Sequence, residues 1–274
     1  MRGQKAFGLA KGGRRDTVHR MDSHVDINRD HWNGMAEEWV AAGEKAWASG
    51  SPYWGIWEVP ERELGLLPED MAGMDAVELG CGTGYVSGWM ARRGARVTGI
   101  DLSAGQLATA RRLAGEHGAD IRFEEGNAEA LPFADGAFDF AISEYGAAIW
   151  CDPTVWLREA WRVLRPGGRL VFLGHHAFVY LTTPLNGAAC ERVLHRAYRG
   201  IGRVDWTQVE IDPGGIEYSL TFADWITLFL EIGFSVEGLK EVYAPEGVTG
   251  EEFGIPAAWS RDFPAEHVWW LRKG

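Results

Sequence analysis

The stretch "AVELGCGTGYV", residues 76 to 86, places Gly80, Gly82 and Gly84 between a short apolar run and a helical pattern. A strand that ends in glycines and turns straight into a helix brings backbone N–H groups close to a bound molecule, because no Cβ holds the ligand off. Dinucleotides and S-adenosylmethionine both use such a turn. The dinucleotide fingerprint G-x-G-x-x-G needs a third glycine where this chain has Tyr85, so the spacing is G-x-G-x-G instead. Glu78, inside the strand, repels a diphosphate and suits the ammonium and sulfonium of S-adenosylmethionine. Asp101, about twenty residues beyond the loop, stands where a ribose-binding acid is expected for either ligand. The same position also suits a charge at a helix N-terminus.

Outward from this loop, strand and helix patterns alternate, which argues for a parallel sheet with crossover helices. "DAVEL", "ARVTGI", "ADIRFEEG", "AFDFAIS" and "GRLVFLG" read as five short strands. Ser103 and Gln106 form a capping box ahead of a helix, with Leu102 and Leu107 placed for a hydrophobic staple. Trp156, Leu157, Ala160, Trp161 and Leu164 share a face of a second helix that stops at "RPGG". After an irregular aromatic stretch, residues 175 to 220, come a helix, "TFADWITLFLEIG", and two strand-like runs, "FSVEGLKEVYAP" and "EHVWWLRKG". These runs read as an antiparallel edge pair.

Ahead of the alternating region, residues 30 to 49 carry Trp32, Met35, Trp39, Val40 and Trp47 at spacings near three and four, a helical pattern that Pro52, Pro60 and Pro68 then break. The expected organisation is a basic flexible tail over residues 1 to 25, an aromatic helical cap over 26 to 72, and a ligand-binding domain over 73 to 274, with 175 to 220 as a substrate-side insertion. Met21 offers an alternative start that would remove most of the tail.

Composition narrows the functional class. Twenty-seven Lys and Arg against 39 Asp and Glu give a net charge of −12, the wrong sign for gripping nucleic acid. Cys81, Cys151 and Cys190 lie far apart, so no zinc site or disulfide framework is suggested and no metal is expected. With no apolar run of membrane length and no secretory signal, the expectation is a cytoplasmic protein with no membrane partner. Its oligomeric state is not legible.

"VELGCGTG", "GIDLS", "GNAEALPF", "FDFAISEY" and "RVLRPGGRLVFL" resemble the successive motifs of the class I S-adenosylmethionine-dependent methyltransferases, especially the branch serving quinone and natural-product biosynthesis. The resemblance covers roughly residues 75 to 175. It implies an α/β, Rossmann-like, seven-stranded and mostly parallel sheet with an antiparallel C-terminal pair, here joined by the N-terminal helical cap. It also implies that Gly80, Cys81, Gly82 and the loop backbone hold the methionine moiety and that Asp101 and Leu102 hold the ribose and the adenine edge. Asn127 and Ala128 would meet the adenine amino group, and Ser143 and Glu144 would form the floor beneath the sulfonium. Many such enzymes carry an acid where Asn127 stands, and a tyrosine in the N-terminal helix where this chain has Trp39.

The implied activity is methyl transfer to a small, largely apolar or aromatic metabolite, with oxygen slightly favoured over carbon or nitrogen. A tRNA base as acceptor, or a binding protein that transfers nothing, are the alternatives. "SEYG", residues 143 to 146, replaces the D/N-P-P-Y/F motif of amino-group methyltransferases. His175 and His176 follow the fifth strand at its carboxyl end, where open α/β sheets place ligands, and either could take a proton from a hydroxyl. Tyr145 has a similar claim, and for all three a plain hydrogen-bonding role is the competing reading. Trp39, Trp54, Trp57, Trp150 and Tyr180 are the aromatic residues expected to line an acceptor pocket.

Overall fold

In the computed structural model, which describes residues 23–274, the apolar strands assemble into one seven-stranded sheet. Its strands are β1 (Asp75–Leu79), β2 (Arg96–Asp101), β3 (Ile121–Glu125), β4 (Phe138–Glu144), β5 (Leu164–His175), β6 (Phe234–Val242) and β7 (Glu266–Lys273). They lie in the order β6-β7-β5-β4-β1-β2-β3. Pairings among β1 to β5 are parallel, while β7 runs antiparallel to both β5 and β6. This is the Rossmann-like architecture with the antiparallel C-terminal pair that the sequence implies. The chain order reverses between β1 and β4, and at such a switch point open sheets leave a crevice beyond their carboxyl ends.

The central strands β1 and β4 are apolar almost throughout because both faces of the sheet are covered there, while the edge strands β3 and β6 carry exposed charged residues. On one face Ala76, Phe140, Ile142, Val171, Leu173 and Val268 pack with Trp89 and with Trp54 and Trp57 from the N-terminal segment. On the other, Val77, Leu79, Phe172, Trp269 and Leu271 meet the helices Pro153–Val163 and Phe222–Ile232. Alternate residues of one strand thus enter opposite cores, the two-residue period of a strand. The edge helix Phe222–Ile232 is capped by Thr221, whose hydroxyl accepts the Asp224 N–H, and ends at Gly233 with φ +104°.

Ahead of the sheet, α1 (His24–Met35) and α2 (Val40–Ala48) are separated by turns, so the single helix the spacing suggests is broken. The first begins at His24, earlier than the apolar pattern shows, with Ser23 as its cap. Residues 24 to 29 lack an apolar stripe because the inward residue there is Asn28. Its Nδ2 donates to the carbonyls of Trp150 and Ile216 at 3.0 and 2.9 Å, and its Oδ1 accepts the Ile216 N–H at 2.7 Å. A buried amide, satisfied on both sides, ties α1 to the two-stranded ribbon Arg203–Asp205 and Ile216–Tyr218. The basic segment expected at residues 1 to 25 lies outside the described residues up to residue 22. Among the described residues no helix is long and apolar enough to cross a membrane.

Candidate functional site

At the switch point two loops press backbone to backbone. A Cβ on Gly80 would sit 2.5 Å from the Gly146 Cα, and one on Gly146 would sit 2.4 Å from the carbonyl oxygens of Leu79 and Gly80. Both residues must be glycine for β1 and β4 to end side by side. Gly82 differs. With φ +50°, its absent Cβ would point into a cavity and meet nothing nearer than Gln106 Oε1 at 4.0 Å. That space is available to a ligand only because the main chain there is bare.

Asp101 holds this loop. Its Oδ2 accepts the Gly82 N–H at 2.7 Å and its Oδ1 accepts the Ser103 N–H at 2.8 Å. Burial raises its pKa, while those N–H groups and that of Leu102 pull it down. Each carboxylate oxygen keeps a second lone pair, enough to receive a vicinal diol. Ser103 caps the helix Ala104–Glu116 by accepting the Gln106 N–H at 3.1 Å, but Asp101 occupies the Ser103 N–H that Gln106 would take in a full capping box. Gln106 Oε1 is therefore left buried at the cavity wall without a partner among the described residues, an acceptor that suits a donor-bearing ligand.

The cavity, about 460 Å³, runs from this loop to an aromatic chamber. Glu78, Gly80, Cys81, Gly82, Asp101, Leu102, Ala128 and Glu144 line it, as do Tyr145, His175, Trp39, Trp150 and Tyr180. Glu78 is fully inside, its Oε2 accepting the Ser87 N–H at 2.7 Å and the Ser87 hydroxyl at 2.5 Å. Burial pushes its pKa up to about 8, so the carboxyl is neutral near pH 7 until a cation arrives. Glu144 accepts the Gly55 N–H at 3.0 Å and the Tyr85 hydroxyl. Tyr85 thus uses the position of the missing third glycine to orient an acid.

Tyr145 adopts φ +56°, a strained backbone for a tyrosine, at the end of β4. Its hydroxyl donates to Glu266 Oε1 at 2.7 Å and lies 3.3 Å from His175 Nδ1. Glu266, on β7, is buried, with a pKa raised to about 8 by burial. Its Oε1 also accepts the Ile56 N–H at 3.0 Å. Burial lowers the His175 pKa to about 4, so its imidazole is neutral at pH 7.

Five of the expected residues do not line the cavity. Trp54 is a core residue whose Nε1 donates to Glu61 Oε2 at 2.6 Å, and Trp57 packs in the same core. What they bring to the site is the backbone between them, because Gly55 and Ile56 reach the wall. His176 caps the next helix by accepting the Phe178 N–H at 3.1 Å, and its Nε2 lies 3.3 Å from Glu241. Ser143 is buried, donating to the Leu79 carbonyl at 2.8 Å and accepting the Ala148 N–H at 3.1 Å. Asn127 spends its Oδ1 on the Glu129 N–H at 2.9 Å. Trp32, from the aromatic cap, and Trp206, which with Trp150 and Tyr180 follows the carboxyl ends of strands, also line the cavity, whereas Glu217 and Phe253 line it without being singled out for it. Phe253 stacks on Trp39 at 5.9 Å from a loop with no periodic signal.

Residues 77–172 match the family model described as a methyltransferase domain. The segment is a methyltransferase domain. It contains the glycine loop, Asp101 and the end of β4, while the cap and the aromatic chamber lie mostly outside it. The chain is 43% identical over 114 residues to a malonyl-[acyl-carrier protein] O-methyltransferase of Pectobacterium atrosepticum, covering 41% of this chain and 42% of that protein. It is 44% identical over 99 residues to a demethylmenaquinone methyltransferase of Thermus thermophilus, covering 35% and 45%. The chain spans less than half the length of these curated relatives. A solved S-adenosylmethionine-dependent methyltransferase from Mesorhizobium loti shares the fold with a TM-score of 0.61 at 23% identity, over 77% of this chain and 95% of that one.

Proposed function

We propose that the protein is an S-adenosylmethionine-dependent methyltransferase whose acceptor is a small, largely apolar or aromatic metabolite, methylated on oxygen. The observation that carries this reading is Gly82. Its bare backbone, fixed by Asp101, opens on a cavity that continues into a chamber walled by Trp39, Trp150 and Tyr180. Asp101 and Gln106 would receive hydroxyl and amino donors, and Glu78 and Glu144 would face the positive charge. A diphosphate has no cationic partner there, since the lining among the described residues contains neither Lys nor Arg.

When bound, S-adenosylmethionine supplies a methyl group on a sulfonium, a leaving group good enough that in-line positioning and exclusion of water carry much of the rate. The chain's own part is to aim the acceptor and hold its proton. A hydroxyl has one proton, so while Tyr145 donates to Glu266 its oxygen faces His175 as an acceptor. His175 then carries its own proton on Nδ1, and Nε2 is left to take the proton of an acceptor hydroxyl. Glu266 needs no negative charge for this, because Oε1 accepts from Tyr145 and Ile56 while Oε2, which has no partner among the described residues, would carry the proton that burial favours.

The test is a labelled-methyl assay against a metabolite extract, read by mass spectrometry. A product heavier by one methyl group in an apolar or aromatic fraction is expected. S-adenosylhomocysteine binding with no methylated product in any fraction contradicts the catalytic reading.

A further inference from the structure

The chamber carries a polar pair that the transfer chemistry does not use. Glu217, on the ribbon strand Ile216–Tyr218, lines the cavity beside Tyr180 and Trp206. Tyr180 is fully buried, yet its hydroxyl makes no hydrogen bond among the described residues. Its ring lies 6.0 Å from that of His175 on one side and 6.4 Å from that of Trp206 on the other, so Tyr180 stands between the histidine and the Trp206 end of the chamber. The Tyr180 hydroxyl and the Trp206 indole both face the Glu217 carboxyl, so the acid is the centre of a small polar cluster in an otherwise aromatic wall, and a ligand donor there would complete the pairing of the buried hydroxyl.

The sign of the chamber is equally one-sided. Asp212 and Glu217 line it, while His31 and His175, its basic side chains among the described residues, are both held neutral by burial. No Lys or Arg lines it among the described residues. An acceptor bearing a carboxylate or phosphate would be desolvated there beside acids, since Arg196, which stacks on the Trp206 ring at 4.8 Å, is not among the lining residues. Burial raises the Glu217 pKa to about 7, and a cation beside it would favour its ionised form while meeting the faces of aromatic rings, the arrangement that suits ammonium groups.

We propose that the acceptor carries a protonated amine, seated against Glu217 and Tyr180, which presents its reacting hydroxyl to His175 one aromatic ring away. This rests on the methyltransferase reading above, and it makes Glu217 the residue that selects the acceptor. It separates this chain from acceptors whose polar handle is an anion.

The test uses the full chain saturated with S-adenosylhomocysteine and three matched probes: tyramine, 4-ethylphenol and 4-hydroxyphenylacetate, titrated by calorimetry. Tyramine is expected to bind at least about tenfold more tightly than either of the others. Glu217→Gln should erase the advantage over 4-ethylphenol and leave S-adenosylhomocysteine affinity unchanged. Equal binding of the three, preference for the carboxylate, no binding by any, or a preference that survives E217Q each overturns the proposal. Loss of S-adenosylhomocysteine binding by the unmodified chain would instead overturn the reading on which it rests.

Discussion

The Asp101 carboxylate accepts the Gly82 amide at 2.7 Å, and so one acid both shapes the glycine loop and offers its remaining lone pairs to the cavity. Removing it takes away a charged acceptor, and such hydrogen bonds are worth about 1.5 to 3 kcal/mol. Asp101→Ala is therefore expected to weaken S-adenosylhomocysteine binding roughly ten- to a hundredfold, the same energy as an equilibrium ratio. Calorimetry checks it; unchanged affinity would remove Asp101 from the ligand's contacts.

His175 and Tyr145 form the second relationship. A positioned proton acceptor contributes on the order of a hundred- to ten-thousandfold to a rate. His175→Gln should lower kcat within that range while leaving S-adenosylhomocysteine affinity unaltered. Tyr145→Phe should cost less and move the acidic limb of the pH–rate profile, because it frees the Nδ1 side of the imidazole. A full rate in H175Q would assign His175 to packing alone.

Gly55 is where the N-terminal segment meets the sheet. A Cβ there would lie 2.0 Å from Glu266 Oε1, and the residue has φ +68°. Gly55→Ala therefore adds a left-handed backbone cost of about 1 to 2 kcal/mol to a collision with a buried carboxyl. A clear fall in Tm is expected, together with weaker ligand binding because the Gly55 N–H also serves Glu144. Gly34, in α1 with open space around it, is the control. Gly34→Ala should be neutral or stabilising by up to about 1 kcal/mol.

Stability should depend on pH in a stated direction. Glu78 and Glu266 have folded pKa values raised to about 8 from an ordinary 4.5. The folded state then holds more protons than the unfolded one, so stability is fully present below 4.5 and falls as pH rises through 8. His175 and His176, lowered to about 4 from 6.5, act oppositely, adding stability as pH rises from 4 to 6.5. Above 6.5 both histidines are neutral in either state and the carboxyls act alone. Thermal melts should therefore show Tm falling between pH 6.5 and 8.5, at roughly 2 to 4 °C per kcal/mol for a chain of this size. Glu78→Gln, whose amide oxygen still accepts from Ser87, should flatten the slope. A Tm that climbs across that window contradicts the burial of these acids.

Sequence pattern and structure agree where one residue's role is set by its neighbours in the chain. The glycine loop, Asp101 and the alternating strands are local features, and the reversed final pair follows once β6 and β7 are seen without a crossover helix between them. The pattern is silent on which face a side chain takes at a strand's end. His175 and His176 are adjacent and equally placed for catalysis, but successive residues point to opposite sides, so His175 meets the cavity and His176 caps a helix. Ser143 and Glu144 divide in the same way. Trp54 and Trp57 illustrate a different limit. Their rings satisfy the core, and only the intervening backbone reaches the site, which composition cannot reveal. Glu217 and Phe253 are brought in by long-range packing of a ribbon and a loop with no periodicity of their own.

The most direct measurement is a calorimetric titration of the full chain with S-adenosylhomocysteine, run beside nicotinamide adenine dinucleotide and repeated on D101A. Micromolar binding of the first, none of the second, and a marked loss in the variant are expected. Dinucleotide binding that depends on Asp101, with S-adenosylhomocysteine inert, would contradict the account at its base.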